Sequence, residues 1–298
     1  MERTPYALES RGRRLFLGSR TWLMGVVNVT PDSFSDGGLF IDPDRAVEHG
    51  LDLASEGADI LDVGGESTRP GAGQVSADEE LRRIIPVVRG LRRRTDVPIS
   101  VDTTKAAVAR AALDEGADIV NDISALRFDT EMAPVVAASG AAVVLMHMQG
   151  TPLTMQLDPR YDDLFGEIRS FFLARLRAAE EAGIPADRTV IDPGVGFGKT
   201  CAHNLALLNG LEAFRDLGRP LCVGLSRKAF IGKVLDLPPG ERVEGTIAAA
   251  VLSVTHGAHI LRVHDIREVA RAVRVAEAIL AAEEDRDDGG SGKASHVC

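Results

Sequence analysis

Aromatic residues make up only 4% of this 298-residue chain, with 1 Trp and 2 Tyr. At a hydrophobic content of 45%, its core must be built from Val, Ile, Leu and Ala. The 3 cysteines (Cys201, Cys222 and Cys298) show neither metal-ligand spacing nor an even-numbered framework. That excludes a disulfide scaffold and a zinc module, and it fits a reducing compartment. Cys222 stands inside an apolar run and reads as core, not as a nucleophile. No apolar run reaches the length of a membrane span. The stretch LFLGSRTWLMGVV has the look of a secretory leader, but Arg20 interrupts it and no small-residue cleavage pattern follows. Basic residues are outnumbered, 34 against 44 acidic, for a net charge of −10. The basic run Arg92–Arg94 sits beside an expected helix end, where it complements the dipole. Neither nucleic acid nor a membrane is an expected partner, and the chain reads as soluble and cytoplasmic.

What the chain does have is a repeated unit. Eight short apolar runs each end in a polar residue of a kind that binds ligands. They are MGVVN to Asn28, ILD to Asp62, ISVD to Asp102, IVND to Asn121 and Asp122, VVLMH to His147, TVID to Asp192, CVGLS to Ser226 and ILRVH to His264. Enough chain for a helix lies between each pair. Strand, polar tip, helix, eight times over, predicts an α/β fold: a single-domain (β/α)8 TIM barrel whose site is assembled at the carboxyl ends of its strands. EGADILDV (56–63), EGADIVND (115–122), SGAAVVLM (139–146) and HGAHILRV (256–263) repeat the helix-to-strand junction, with Gly as the left-handed residue that ends the helix. Asp62, Asn121 and Arg262 stand five positions after that Gly in three of the four.

Helical spacing of Leu81, Ile84, Ile85, Val88 and Leu91 predicts a helix with Ser76 and Glu79 as its capping box. Asp42 and Pro43 open another. YDDLFGEIRSFFLARLRAAEEAG reads as the longest helix. The barrel is expected over 21–282, after an N-terminal extension over 1–20 whose role the sequence does not indicate. A polar, Gly/Ser-rich tail over 283–298 is expected to be disordered, and it does not match a prenylation box.

TPDSFSDGG (30–38) and GGESTRPGAG (64–73) follow the first two strands and read as long mobile loops over the site. VDTTK, VND and IDPGVGFGK put Asp102, Asn121 and Asp192 in the mouth. A carboxylate there is costly unless paired, and a flat heterocycle with adjacent N–H donors, such as an amino-pyrimidinone, satisfies it bidentately. The plainer alternative is helix capping. It suits Asp102 before TTKAAVA better than Asp192 before Pro193 and a glycine loop. GLSRKAFIG and RVHD place Ser226, Arg227, Lys228, Arg262 and His264 after strands seven and eight, where this fold often holds phosphate. There is no Ser–His–Asp order and no Walker loop; GVGFGKT has the wrong spacing for one.

Taken together, MGVVNVTPDSFSDGG, VGGESTRPGA, ISVDTTK, HMQGTP, DPGVGFGK, GLSRKAFIG and RVHD resemble the motif set of the dihydropteroate synthases, in order, over about residues 21–280. The resemblance implies a cytoplasmic, homodimeric transferase of folate biosynthesis, from a family targeted by sulfonamides. Such an enzyme joins 6-hydroxymethyl-7,8-dihydropterin diphosphate to p-aminobenzoate, releasing 7,8-dihydropteroate and diphosphate, with Mg2+ as cofactor. Carried over by motif, Asp102, Asn121, Met146, Asp192, Phe197 and Lys228 bind pterin. Asn28, Thr68, Arg262 and His264 bind diphosphate, with Asn28 at the metal. Phe34, Pro70 and Ser226 form the p-aminobenzoate pocket, and Arg69 lies in the loop. Asp102, Lys228, Arg262 and His264 are the expected catalytic groups. The alternatives are a non-catalytic pterin-binding paralogue and a folate-dependent methyltransferase domain.

Overall fold

The four Gly-Ala junctions turn as the repeat predicts. Gly57, Gly116, Gly140 and Gly257 have φ of 109°, 104°, 73° and 93°, in the left-handed region that a Cβ disfavours. In the computed structural model, which describes residues 3–30, 42–67, 73 and 75–287, each junction leads into a parallel strand. Ten strands form. β1 (Tyr6–Ser10) and β2 (Arg13–Leu17) make an antiparallel hairpin. The barrel strands are β3 (Trp22–Asn28), β4 (Ile60–Gly64), β5 (Ile99–Asp102), β6 (Ile119–Asp122), β7 (Ala142–Met146), β8 (Thr189–Asp192), β9 (Cys222–Gly224) and β10 (Ile260–Val263). Their order is β8-β7-β6-β5-β4-β3-β10-β9, all parallel, and one bridge between Ile191 and Leu221 joins β8 to β9 and closes the ring. The eight runs read from the sequence are these eight strands.

Alternation along the strands divides the interior into a floor and a mouth. Met24, Ile60, Ile119, Val190, Cys222 and Ile260 point inward low in the barrel and pack against Leu8, Leu15 and Leu17 of the hairpin. Two residues further along the same strands stand Val26, Asp62, Asn121, Asp192, Gly224 and Arg262. The residues between them, such as Leu61, Val63, Val101, Val120 and Ile191, join the helices in the larger core. Residues 6–17 thus have a structural task that their sequence did not disclose. The hairpin plugs the floor, and Ser10 Oγ, which donates to Asp118 O, accepts from Ala142 N at 3.1 Å.

Three helix expectations need correction. Ser76 caps helix Ala77–Arg92 by accepting from Glu79 N, but the Glu79 carboxylate pairs with Arg82 and Arg83, so the reciprocal half of the capping box is not made. The longest helix is Ile266–Asp287 with 22 residues, against 18 for Leu164–Glu181. It continues past the boundary at 282, and residues 288–298 lie outside the described part. Asp42 and Pro43 open helix Pro43–Glu56 as expected. Among the described residues, no helix is long and apolar enough to cross a membrane.

Candidate active site

Asp62, Asn121 and Arg262, aligned by the Gly-Ala repeat, meet at one carboxylate. Asp62 Oδ2 accepts from Asn121 Nδ2 at 3.0 Å and from Arg262 Nε at 2.6 Å. Arg262 also donates through Nη2 to Asp102 Oδ2 at 2.7 Å. One guanidinium from the last strand therefore serves two carboxylates from β4 and β5. Burial works against its charge, but the two carboxylates prevail and raise its pKa above the usual arginine value. Burial pushes Asp102 up to about 7, with Arg262 pulling the other way. Asp62 is fully buried and its Oδ1 has no partner.

Asp102 caps no helix. Helix Ala106–Asp114 begins after Lys105 with no side-chain cap, and Ala106 N donates instead to Asp129 Oδ2 at 2.8 Å. Asp192 likewise caps none; its Oδ1 accepts from Gly194 N at 2.7 Å, and burial raises its pKa. The Lys228 ammonium stands 4.4 Å from the centre of the Phe197 ring, over its face. Burial lowers Lys228 to about 8, while Asp192 holds it up. Phe197 packs on a cluster of Ile123, Met146, Met148 and Met155, so Met146 and Phe197 form one apolar wall beside the charged groups.

On the other side, Asn28 Nδ2 lies 3.3 Å from His264 Nε2. His264 N donates to Ser226 Oγ at 3.2 Å, which ties the ends of β9 and β10 together. By sequence, His264 belongs to a positive cluster. Here burial, then the charges of Arg262 and Arg227, hold it down to about 4, so the ring is neutral at pH 7. Its buried Nδ1 has no partner. Arg227 adopts a left-handed φ of 57° and turns its guanidinium out to Asp265, 2.5 Å away. Phe34, Thr68, Arg69 and Pro70 lie outside the described residues.

Three buried polar residues of the mouth carried no assigned role from sequence. Asp62 appears there as a strand tip, and its place in the Gly-Ala register was the signal. Asp122 holds its own turn, accepting from Ser124 N at 2.7 Å and Leu126 N at 2.8 Å. Lys199 is 2% exposed and bonds His147 at 3.0 Å. Among the described residues, no group of three or more His, Cys, Asp and Glu could hold a metal ion.

Buried carboxylates, an amide and cations share one barrel mouth beside an apolar wall. The family of pterin binding enzymes matches residues 24–264, which makes this a barrel enzyme of the pterin-binding class. The dihydropteroate synthase of Escherichia coli K12 is 48% identical over 268 residues, 90% of this chain and 95% of that one. The structure of the Yersinia pestis dihydropteroate synthase with a sulfonamide drug complex superposes with a TM-score of 0.88 at 46% identity, covering 92% of this chain and 99% of that one. The Xanthomonas albilineans dihydropteroate synthase with 4-aminobenzoic acid gives 0.87 at 48%, covering 93% and 99%. This chain belongs to the dihydropteroate synthase family.

Proposed function

We infer that this chain condenses 6-hydroxymethyl-7,8-dihydropterin diphosphate with p-aminobenzoate, yielding 7,8-dihydropteroate and diphosphate. One observation carries the reading. Asp102, Asn121 and Asp192 line the mouth beside the Met146–Phe197 wall, while Lys228, Arg262 and His264 enter from the last two strands. In this reading Asp102, Asn121 and Asp192 bond the polar edge of the pterin, with Lys228 beside them and Phe197 against its face. Arg262, His264 and Asn28 receive the diphosphate. Thr68 joins the diphosphate groups, and Ser226, with Phe34 and Pro70, belongs to the p-aminobenzoate side.

No nucleophilic side chain is needed. The arylamine nitrogen attacks the pterin methylene, the C–O bond breaks with its electrons leaving on diphosphate, and the nitrogen sheds a proton. Arg262 supplies fixed positive charge where negative charge grows, without reorganising at that moment. The unpartnered His264 Nδ1 is a buried group ready to bond a phosphate oxygen.

Magnesium fits this arrangement as an ion carried largely by substrate oxygens. Asn28 offers one amide oxygen, and a hard cation with few protein ligands is usual where phosphates complete its shell. Bound there, it would neutralise charge on the departing diphosphate. The test is one assay on purified protein with the pterin diphosphate, p-aminobenzoate and Mg2+, following diphosphate and dihydropteroate together. Both products should rise in step and stop with EDTA; pterin binding without turnover would refute the catalytic reading.

We also infer a homodimer and cytoplasmic residence. Leu252 (56% exposed) on helix Val243–Thr255 and Val275 and Ile279 (61% each) on the neighbouring helix Ile266–Asp287 are large apolar groups suited to a second copy. The free thiols Cys201 and Cys222 agree with a reducing compartment. Sedimentation should give twice the chain mass, and Leu252→Arg should give monomer; a wild-type monomer would end the dimer reading.

A further inference from the structure

We propose that Lys199 is a positioning residue of the pterin site: its buried ammonium fixes the glycine loop that carries Phe197 and supplies charge to Asp192 from behind. The proposal rests on the function inferred above and extends it to a residue that no substrate need touch.

The geometry is that of a three-way clamp. Lys199 Nζ lies 3.0 Å from His147 Nδ1, Gly194 O and Phe197 O. An ammonium has three N–H donors, and here each has an acceptor. His147 is a suitable partner because it cannot compete for the proton. Burial, then the charges of Lys199 and Arg127, push it down to about 2. With Nδ1 accepting, its own proton sits on Nε2. The ring is fixed edge-on against Phe171, 4.8 Å between centres.

The loop so held is unusual. Gly194, Gly196 and Gly198 all have positive φ, and a Cβ on Gly194 would lie 1.9 Å from His147 O. The backbone passes too close to the end of β7 for any side chain. Its polar groups are bonded by side chains from outside: Gly196 N by Asn204 Oδ1 at 2.6 Å, Gly196 O by Gln156 Nε2 at 2.9 Å, and Gly198 O by Tyr161 Oη at 2.8 Å. Among the described side chains, Lys199 bonds both the Asp192 end and the Phe197 end, reinforcing the backbone bond from Phe197 N to Gly194 O at 3.0 Å. Removing them frees the turn through which Gly194 N holds Asp192 and Phe197 faces Lys228.

Charge is the second half. Asp192 is buried and faces Lys228 from beyond β9, Arg262 from β10 and Lys199 from its own loop; Lys199 in turn faces His147, Asp192 and Lys228. Burial lowers Lys199 to about 7, against the pull of Asp192. Its protonated form therefore grows in as pH falls through 7, and that charge opposes proton uptake by Asp192, which burial favours. The pair resists acid together.

The test is titration of 6-hydroxymethylpterin into wild type, Lys199→Met and Lys199→Gln from pH 5 to 8, with KM for p-aminobenzoate measured at saturating pterin diphosphate. The glutamine keeps hydrogen-bond donors and loses the charge; the methionine loses both. Both variants should move the acid limb of pterin binding upward by about 1 pH unit. At pH 8 the methionine should weaken pterin about tenfold, the glutamine less, with KM for p-aminobenzoate within about twofold for both. A folded Lys199→Gln whose acid limb stays in place overturns the charge role. A folded Lys199→Met with wild-type affinity at pH 8 overturns the clamp. Should the methionine variant not fold, the glutamine variant decides. A wild type that binds no pterin sinks the function inferred above instead, so the two failures are separable.

Discussion

Replacing Arg262 by methionine should cost stability as well as substrate affinity, and should cost more at alkaline than at acid pH. Arg262 is the cation shared by Asp62, fully buried, and Asp102. Its loss leaves two carboxylates in a low-dielectric mouth with, among the described residues, Asn121 alone donating to Asp62. Removing one partner of a buried ion pair costs about 3–5 kcal/mol. Asp102 has an escape, since burial already lifts it to about 7 and the loss of Arg262 lifts it further. A carboxyl whose folded pKa exceeds its unfolded value adds stability below the unfolded value and loses it as pH rises through the folded one. A proton thus replaces the guanidinium more fully at pH 5.5 than at pH 8. Each tenfold gain in proton affinity is worth about 1.4 kcal/mol. The penalty at pH 8 should therefore exceed that at pH 5.5 by about 1–2 kcal/mol. Urea unfolding at both pH values measures this, and adding Asp62→Asn to Arg262→Met should recover most of the loss. KM for the pterin diphosphate should rise about tenfold or more, as for a lost charged hydrogen bond. A penalty below about 1 kcal/mol at both pH values, or a double variant no better than the single, would refute the reasoning.

Leu8→Ala removes a side chain 1% exposed from the floor and should lower unfolding free energy by about 2–5 kcal/mol with pterin affinity intact, read by denaturation and titration. Gly194→Ala should abolish pterin binding in protein that still melts cooperatively, because its Cβ would meet His147 O in a strained backbone. Pterin affinity should fall as pH drops through 7, because Asp102 accepts pterin N–H groups only when ionised. Asp102→Asn should bind weakly at every pH and keep only the part of that dependence that Asp192 carries.

The barrel was legible because its strands are buried on both faces and read as unbroken apolar runs. The candidate site was legible where strands end in polar tips, at Asp102, Asn121, Asp192 and His264, and in the Gly-Ala register for Arg262. Other features needed three dimensions. A hairpin of alternating residues at the start of the chain has no repeat to reveal it, and its role as a plug depends on residues 100 or more positions away, as Ser10 on Asp118 shows. Lys199 looked like part of a failed phosphate loop because spacing says nothing of the histidine it meets 52 positions earlier. The pairing of Arg262 with Asp62 spans 200 positions, and it is the ladders joining the last barrel strand to the first, and the first to the second, that bring it about.

The ring has one uneven seam. Every adjoining pair of barrel strands shares a ladder except β8 and β9, which share the single bridge of Ile191 and Leu221. The carboxylates Asp62, Asp102 and Asp192 all lie before this seam in the chain, on β4, β5 and β8; the cations Lys228 and Arg262 lie after it. The ring is electrically sorted, acid on one arm and base on the other, with its thinnest hydrogen bonding where the arms meet. A ligand that takes Asp192 with one edge and Lys228 with another lies across the join as a rivet. Substrate would then fasten the barrel shut as it binds, and at a hundredfold excess over its Kd would add about 2.7 kcal/mol to the cost of prying it open.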